Sequence, residues 1–400
     1  MAKRSTRRSF LQQAAAGAGL AGVGRLAAAD EEKPIQGFED TGTTTQEGKV
    51  WQPVSERKIR VGIVGYGVCK FGAAFGFQDH PNVEVVAVSD LFPDRCQGLA
   101  DACRCDKKYP SLEELVKDDN IEAVFVATDA PSHVKHCLDV LRHGKHVAHA
   151  VPAVFGSLEE ADQLYEAVKA SGLKYMMFET SVFHDDTYAM RQLYNAGKFG
   201  KMVYSEGEYY HYSVEQIDSY KGWRIGLPPQ WYPTHSNAYY VGVTGGSFTE
   251  VSCMAIPSLK EKLQPENNRY KNPFGTEIAL LRTSEGGMAR MGVSWDTPGH
   301  GGEKGRVRGQ LGSMENGRFH GIDAPEGVVL EKPPLPPGVA GGGHGGSHGY
   351  LMNEFVTAIL EDRKPLVDIA WALNMTVAGV VAHQSALKDG ELMKIPQYTV

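Results

Sequence analysis

Ile59-Arg60-Val61-Gly62-Ile63-Val64-Gly65-Tyr66-Gly67-Val68-Cys69-Lys70-Phe71-Gly72, followed by Val83-Glu84-Val85-Val86-Ala87-Val88-Ser89-Asp90, decides the fold of this 400-residue chain. The first apolar run reads as a buried strand, the glycines as a tight turn, the next segment as a helix, and the second apolar run as a strand closing on an acid. In such a unit Gly65 turns the chain and Gly67, flanked by Tyr66 and Val68, lets backbone N–H groups approach a pyrophosphate. The helix then points its positive end at that anion. Asp90 lies 23 residues beyond Gly67, close to the roughly 20-residue spacing of an acid that binds the ribose 2′-OH, so the reading favours NAD over NADP. The third glycine of G-x-G-x-x-G would fall at Lys70, and the chain offers Gly72 instead. The bland alternative for Asp90 is a cap on the turn before Pro93.

The alternation continues outward. Residues 121–128, 146–148 and 175–178 read as strands. Residues 112–117, 134–142 and the segment after the Ser157-Leu158-Glu159-Glu160 capping box read as helices. This predicts an α/β Rossmann domain, a doubly wound parallel sheet, over 58–180. Beyond it, apart from a helix over 188–195, strands dominate at 201–212, 276–283, 287–295 and 306–311. A Pro/Gly-rich loop at 332–349 and helices near 350–362 and 369–387 follow. That predicts a C-terminal α+β domain over 181–390 with a largely antiparallel open sheet, and a tail at 391–400.

Residues 1–29 read as a twin-arginine signal peptide: Arg7-Arg8-Ser9-Phe10-Leu11, a mild apolar run, then Ala27-Ala28-Ala29. Residues 30–57 read as an extended arm. The expected location is periplasmic or secreted. Loss of Lys3, Arg4, Arg7, Arg8 and Arg25 takes the net charge from −7 to −12. An acidic chain without a basic cluster argues against nucleic acid or membrane as partner. Six cysteines give no zinc spacing and read mostly as small buried apolar residues, so no metal is assigned.

With Ala127-Thr128-Asp129-Ala130-Pro131-Ser132-His133, Gly144-Lys145-His146-Val147, Val151-Pro152-Ala153 and Ala196-Gly197-Lys198-Phe199-Gly200 in place, residues 58–390 resemble the Gfo/Idh/MocA oxidoreductase family. That resemblance implies NAD, hydride transfer at a carbohydrate carbinol, a homo-oligomer, and cofactor contacts at Thr128, His133 and Pro152. Two departures stand out. The family's Glu-Lys-Pro reads Ala150-Val151-Pro152 here, and Trp231 stands where an aspartate precedes the family's histidine by four, leaving His235. Trp231-Tyr232-Pro233-Thr234-His235, Gly342-Gly343-His344-Gly345-Gly346, Met177-Phe178-Glu179 and Glu206-Gly207-Glu208-Tyr209 are similar to the family's NAD-dependent glycosidase branch, with Phe183 replacing a tyrosine.

His235 is accordingly read as the catalytic base, since its ordinary pKa suits proton transfer near neutrality, with Tyr232 as acid or sugar ligand. The bland alternatives are a histidine satisfied in a Pro-containing loop and an aromatic packed on Trp231. His344, Glu179 and Tyr209 are read as substrate contacts. For His344 the alternative is a solvated loop, and for Tyr209 it is core packing. His184-Asp185-Asp186 reads as a helix cap, with lining a site as the alternative. Three outcomes stay open: net sugar oxidation or reduction, redox-neutral glycoside cleavage, and a non-catalytic sugar- or nucleotide-binding protein.

Overall fold

The computed structural model describes residues 45–212, 217, 219–298 and 302–399, so the segment read as a signal peptide and most of that read as an arm lie outside the described residues. The first half contains β1 (Ile59–Val64), β2 (Val83–Ser89), β3 (Lys108–Tyr109), β4 (Ala123–Val126), β5 (His146–Ala150) and β6 (Tyr175–Phe178). They form one parallel sheet in the order β3-β2-β1-β4-β5-β6, reversing direction of growth at β1/β4. β4 and β6 are buried along their whole length, as sheets covered by helices on both faces require. The α/β reading therefore holds, and the carboxyl ends of β1 and β4 open at the switch point where ligands bind in such sheets.

The second half contributes β7 (Met202–Tyr210), β8 (Phe248–Pro257), β9 (Phe274–Thr283), β10 (Met288–Ser294), β11 (Gly302–Gly309), β12 (Gly312–Glu315), β13 (Arg318–Gly321) and β14 (Met393–Lys394). Their order is β13-β12-β11-β7-β10-β9-β8-β14, antiparallel except at β7/β10. β14 comes from the segment read as a tail; it pairs with β8, and Tyr398 beyond it is buried, its hydroxyl donating to Asp162 at 2.8 Å.

The helix Ile369–Ala386 packs against β6, β8 and the helix Leu158–Ser171, joining the two sheets. It is buried on nearly every side. Asp368 caps it, accepting from the backbone N–H groups of Ala370 (3.0 Å) and Trp371 (3.1 Å). Loss of such a cap costs about 1 kcal/mol.

Two local expectations fail. The helix after the glycine turn is only Phe71–Ala74, with Lys70 left-handed at its start (φ 49°), so little helix dipole faces the turn. The Trp-Tyr-Pro-Thr-His segment is not a loop: Pro233 caps a helix over Thr234–Thr244, with Asn237 N–H donating to the Pro233 carbonyl at 2.9 Å.

Candidate active site

The glycine turn fits its assigned chemistry. Gly65 has φ +101°, and a Cβ there would lie 2.4 Å from the Ala127 carbonyl oxygen, so only glycine seats the turn against β4. A Cβ at Gly67 would meet nothing, because that residue faces a cavity of about 530 Å³. This volume lies inside the ~300–1,000 Å³ of small-molecule sites. Gly65, Gly67, Val68, Asp90 and Thr128 all line it, with Arg95, Lys135, His136 and Arg224. Asp90 Oδ2 accepts from Tyr66 N–H at 2.7 Å and Oδ1 from Phe92 N–H at 2.9 Å. The carboxylate thus serves as the cap weighed for it, and each oxygen retains a further acceptor site, as ribose binding needs. These residues fit a dinucleotide.

Three cofactor assignments change character. Tyr66 acts through its backbone. His133 is buried, its Nδ1 2.9 Å from the Pro152 carbonyl and its Nε2 3.2 Å from the Thr128 carbonyl. It lies outside the cavity lining with one N–H to give to one of those two carbonyls, and Pro152 is likewise buried and outside the lining. Desolvation keeps that imidazole neutral by lowering its pKa.

A smaller pocket adjoins the cavity, sharing Cys69, Phe71, Ile217 and Arg224 with it, and is further lined by Phe75, Val151, Phe178, Thr180, Tyr209, Tyr232, His235 and His344. Two glycines place His235 there. Gly207 on β7 and Gly305 on β11 are register partners facing the helix Thr234–Thr244. A Cβ on Gly207 would sit 2.0 Å from the Ser236 carbonyl oxygen, and one on Gly305 2.2 Å from the Tyr239 ring. The bare strands let the helix settle directly on the sheet. Ser205 Oγ donates to the Tyr239 carbonyl (2.9 Å) and Asn237 Nδ2 to the Met375 carbonyl (2.6 Å), fixing it.

His235 Nδ1–H donates to Glu179 Oε1 at 2.7 Å, and Glu179 Oε1 also accepts from Ser181 N–H at 2.9 Å. Glu179 is fully buried behind the imidazole. It is a positioning residue and not the substrate contact expected: it fixes the tautomer that leaves Nε2 as the proton acceptor on the ring's other edge. Tyr209 packs on His235 with ring centroids 4.5 Å apart, and Tyr232 at 5.6 Å, so both expected aromatics border the pocket. Burial, opposed by Arg224, pushes the Tyr232 phenol up to about 12. It is a hydrogen-bond donor near neutral pH.

Glu303 on β11 completes the cluster. It lies 3.6 Å from His235 Nδ1 and 3.1 Å from His184 Nε2, and accepts from the Ser181 hydroxyl. Burial alone would lower the pKa of His235; the Glu179 and Glu303 carboxylates outweigh it and raise the pKa to about 9. A group raised above its unfolded value of about 6.5 stabilises the fold fully below that pH and loses its contribution as pH climbs through 9. The melting temperature should therefore fall between pH 7 and 10, and fall less in Glu303→Gln. Equal slopes in the two proteins, measured by calorimetry, would contradict this.

Among the described residues Glu179, His235 and Glu303 also bring three ligand-type atoms within 4.8 Å of one another. They could hold a divalent cation. However, ligands of a tetrahedral zinc stand about 3.3 Å apart given its ~2.0–2.1 Å bonds. The 2.7 Å His235–Glu179 separation is instead that of a hydrogen bond.

The Gly342–Gly346 segment is no solvated loop. His344 is left-handed (φ 50°), and buried Lys332 ties the segment's end to the rest of the fold, donating to the Gly346 carbonyl at 3.5 Å and the Phe183 carbonyl at 2.8 Å and pairing with Asp185 at 2.7 Å. His184, read as a cap, begins the helix Asp185–Asn195 without a side-chain cap bond and turns to Glu303.

Residues 59–179 match the family described as the Gfo/Idh/MocA oxidoreductase family, NAD-binding Rossmann fold. Relatives are named glycosyl hydrolase family 109 proteins. That of Porphyromonas gingivalis is 27% identical over 178 residues, 42% of this chain and only 38% of that protein. That of Saccharopolyspora erythraea is 26% identical over 365 residues, 82% of this chain and 75% of the relative. Among solved structures, levoglucosan dehydrogenase with NADH superposes with a TM-score of 0.71 at 17% identity, covering 86% of this chain and all of that one. Apo scyllo-inositol dehydrogenase from Lactobacillus casei gives 0.68 at 16%, covering 85% and 99%. Residues 59–179 thus have an NAD-binding Rossmann fold, and the cofactor is NAD.

Proposed function

We propose that this chain, built on a Gfo/Idh/MocA NAD-binding domain, is an NAD-dependent enzyme that acts on a carbohydrate by hydride transfer at a sugar carbinol. The observation that carries the reading is the position of His235, an imidazole oriented by a buried carboxylate in a pocket that opens into the dinucleotide cavity. NAD, when bound, accepts a hydride from carbon. Nε2 of His235 takes the hydroxyl proton as the carbinol becomes a ketone, and the resulting imidazolium is stabilised by Glu179 and Glu303. Tyr209 and Tyr232 offer the sugar a ring face and a phenol donor.

A second reading, redox-neutral glycoside cleavage, is favoured by relatives named as glycosyl hydrolases and by Val151, which has no titratable group. Here oxidation acidifies the neighbouring C–H, the aglycone leaves by elimination, water adds and the hydride returns. This cycle suits an enzyme exported by the twin-arginine route, as we also propose, because it needs no outside nicotinamide pool. We further propose a homo-oligomer.

Purified protein given aryl glycosides without added NAD separates the two readings. Phenol release without NADH build-up marks cleavage, and stoichiometric NADH marks net oxidation. Neither signal, from protein that releases NAD on acid treatment, would favour a binding protein.

A further inference from the structure

We propose that Glu277, a buried acid on β9 that lines neither pocket, is a positioning residue that sets where the Tyr232 phenol meets the sugar. The inference rests on the reading of Tyr232 as a hydrogen-bond donor to the substrate, and it concerns what holds that phenol in place.

Tyr232 follows a single 3₁₀ turn, Pro229–Trp231. Pro228 and Pro229 have no N–H, so Gln230 carries the first backbone donor of the turn. Trp231 N–H and Tyr232 N–H close onto the Pro228 and Pro229 carbonyls, each at 3.0 Å. The Gln230 N–H has no carbonyl within the turn to reach. It donates to Glu277 Oε2 at 2.6 Å, and Glu277 Oε1 accepts from His383 Nδ1–H at 2.6 Å. Both oxygens of a fully buried side chain are thus given to this turn and to the helix Ile369–Ala386 that packs on it. Along β9 Glu277 shares its face with buried Ala279 and Leu281, and an acid on such a face signals a site.

Packing sets how closely the turn sits. A Cβ at Gly379 would lie 2.1 Å from the Gln230 carbonyl oxygen and 2.5 Å from the Pro233 ring, so the turn rests on bare helix backbone. The Trp231 ring stands edge-on to His383, centroids 5.6 Å apart, and a Cβ at Gly156 would lie 2.6 Å from it. Gln230 Nε2 donates to the Met291 carbonyl on β10 at 3.2 Å. Two buried acids therefore bracket the segment: Glu277 holds Gln230 and Glu179 holds His235. The two ends differ. His235 is also fixed by the seat of its helix on β7 and β11, whereas Tyr232 directly follows the turn that Glu277 caps. Loss of Glu277 should disturb the phenol more than the imidazole.

Kinetics of the full-length, NAD-loaded protein test this, with a panel of nitrophenyl glycosides followed by NADH absorbance or nitrophenolate release, whichever the wild type gives. Glu277→Ala should raise KM ~10-fold and leave kcat within ~3-fold, the mark of lost uniform binding. A purely structural role would reduce the amount of active protein and leave KM unmoved. Glu277→Gln should restore the wild-type KM: its amide oxygen still accepts from Gln230 N–H, and its NH₂ meets the other tautomer of His383. In a Tyr232→Phe background, Glu277→Ala should add no more than ~2-fold. Wild-type KM in Glu277→Ala, the same ~10-fold rise in both backgrounds, or a Glu277→Gln as impaired as Glu277→Ala would each overturn the proposal.

Glu277→Asp, whose shorter stem cannot reach both partners, is the milder variant should the alanine fail to fold, and it should raise KM in the same sense. Its crystal structure should show the Tyr232 ring displaced ~1 Å or more from His235, with the His235–Glu179 bond kept. An unmoved Tyr232 would overturn the proposal without any substrate. A wild type silent on every glycoside would sink the enzymatic reading itself, leaving the crystal structures to decide what Glu277 positions.

Discussion

His235→Asn should lower the rate of carbinol oxidation by ~10²–10⁴-fold while the protein remains folded and loaded with NAD. That range is the contribution of a positioned general base, about 3–5 kcal/mol of transition-state stabilisation. Asparagine cannot take a proton, yet its amide can still donate to Glu179 Oε1, which now accepts from the imidazole at 2.7 Å. The substitution thus removes the chemistry and keeps the buried carboxylate partnered, avoiding the penalty of an orphaned charge. His235 borders the inner pocket, away from the glycine turn, so acid-released NAD should match wild type. In the wild type the oxidation rate should climb about tenfold per pH unit below 9, because only the neutral imidazole accepts a proton. The slow residual reaction of His235→Asn should lack that limb. An asparagine variant within a few-fold of wild type, with the same pH profile, would remove His235 from the chemistry.

The Rossmann half was legible because its signals are local. Continuous apolar strands, the turn at Gly65 and Gly67, and an acid at residue 90 each follow from a few adjacent residues. In the second half the signals are tertiary. The helix Thr234–Thr244 is buried on all sides, so it shows no apolar stripe and no 3.6-residue period. Its motif was visible while its structure was not. Glu303 was missed for a narrower reason. The sequence reading began that strand at residue 306, whereas β11 starts at Gly302. Extended by four residues, the two-residue alternation puts Glu303 on the same face as buried Val307, and an acid on a buried face is a site signal. Glu179 was found but given the wrong role, since nothing local says that it stands behind the histidine. The buried use of His133 depends on a backbone carbonyl 19 residues away, at Pro152, which no residue pattern encodes.

Gly207→Ala should be among the most damaging single-methyl additions in this chain, destabilising it by roughly 3 kcal/mol or more, at the upper end for overpacking. The added Cβ would meet backbone, 2.0 Å from the Ser236 carbonyl oxygen, with Met291 Sδ at 2.9 Å. Neither side yields easily. β7 is held between β10 and β11, and the helix is anchored through Ser205 and Asn237. At about 2–4 °C per kcal/mol for larger domains, the melting temperature should drop by roughly 6–12 °C. Gly292→Ala, on neighbouring β10, is the matched control. Its Cβ would press on the end of the Ile278 side chain at 3.0 Å, which can rotate aside, and meet the Tyr210 ring at an ordinary 3.5 Å, so the change should stay within about 1 kcal/mol. The two alanines therefore separate close helix approach from any general cost of methylating this sheet. A helix lifted from β7 also carries His235 away from Glu179 and Glu303, so the imidazole pKa should slide from about 9 back toward its ordinary value. NMR titration of His235 in Gly207→Ala reads that shift directly. Wild-type stability together with an unmoved titration would show that the sheet does not set the height of this helix, and the link from the two facing glycines to the catalytic imidazole would break.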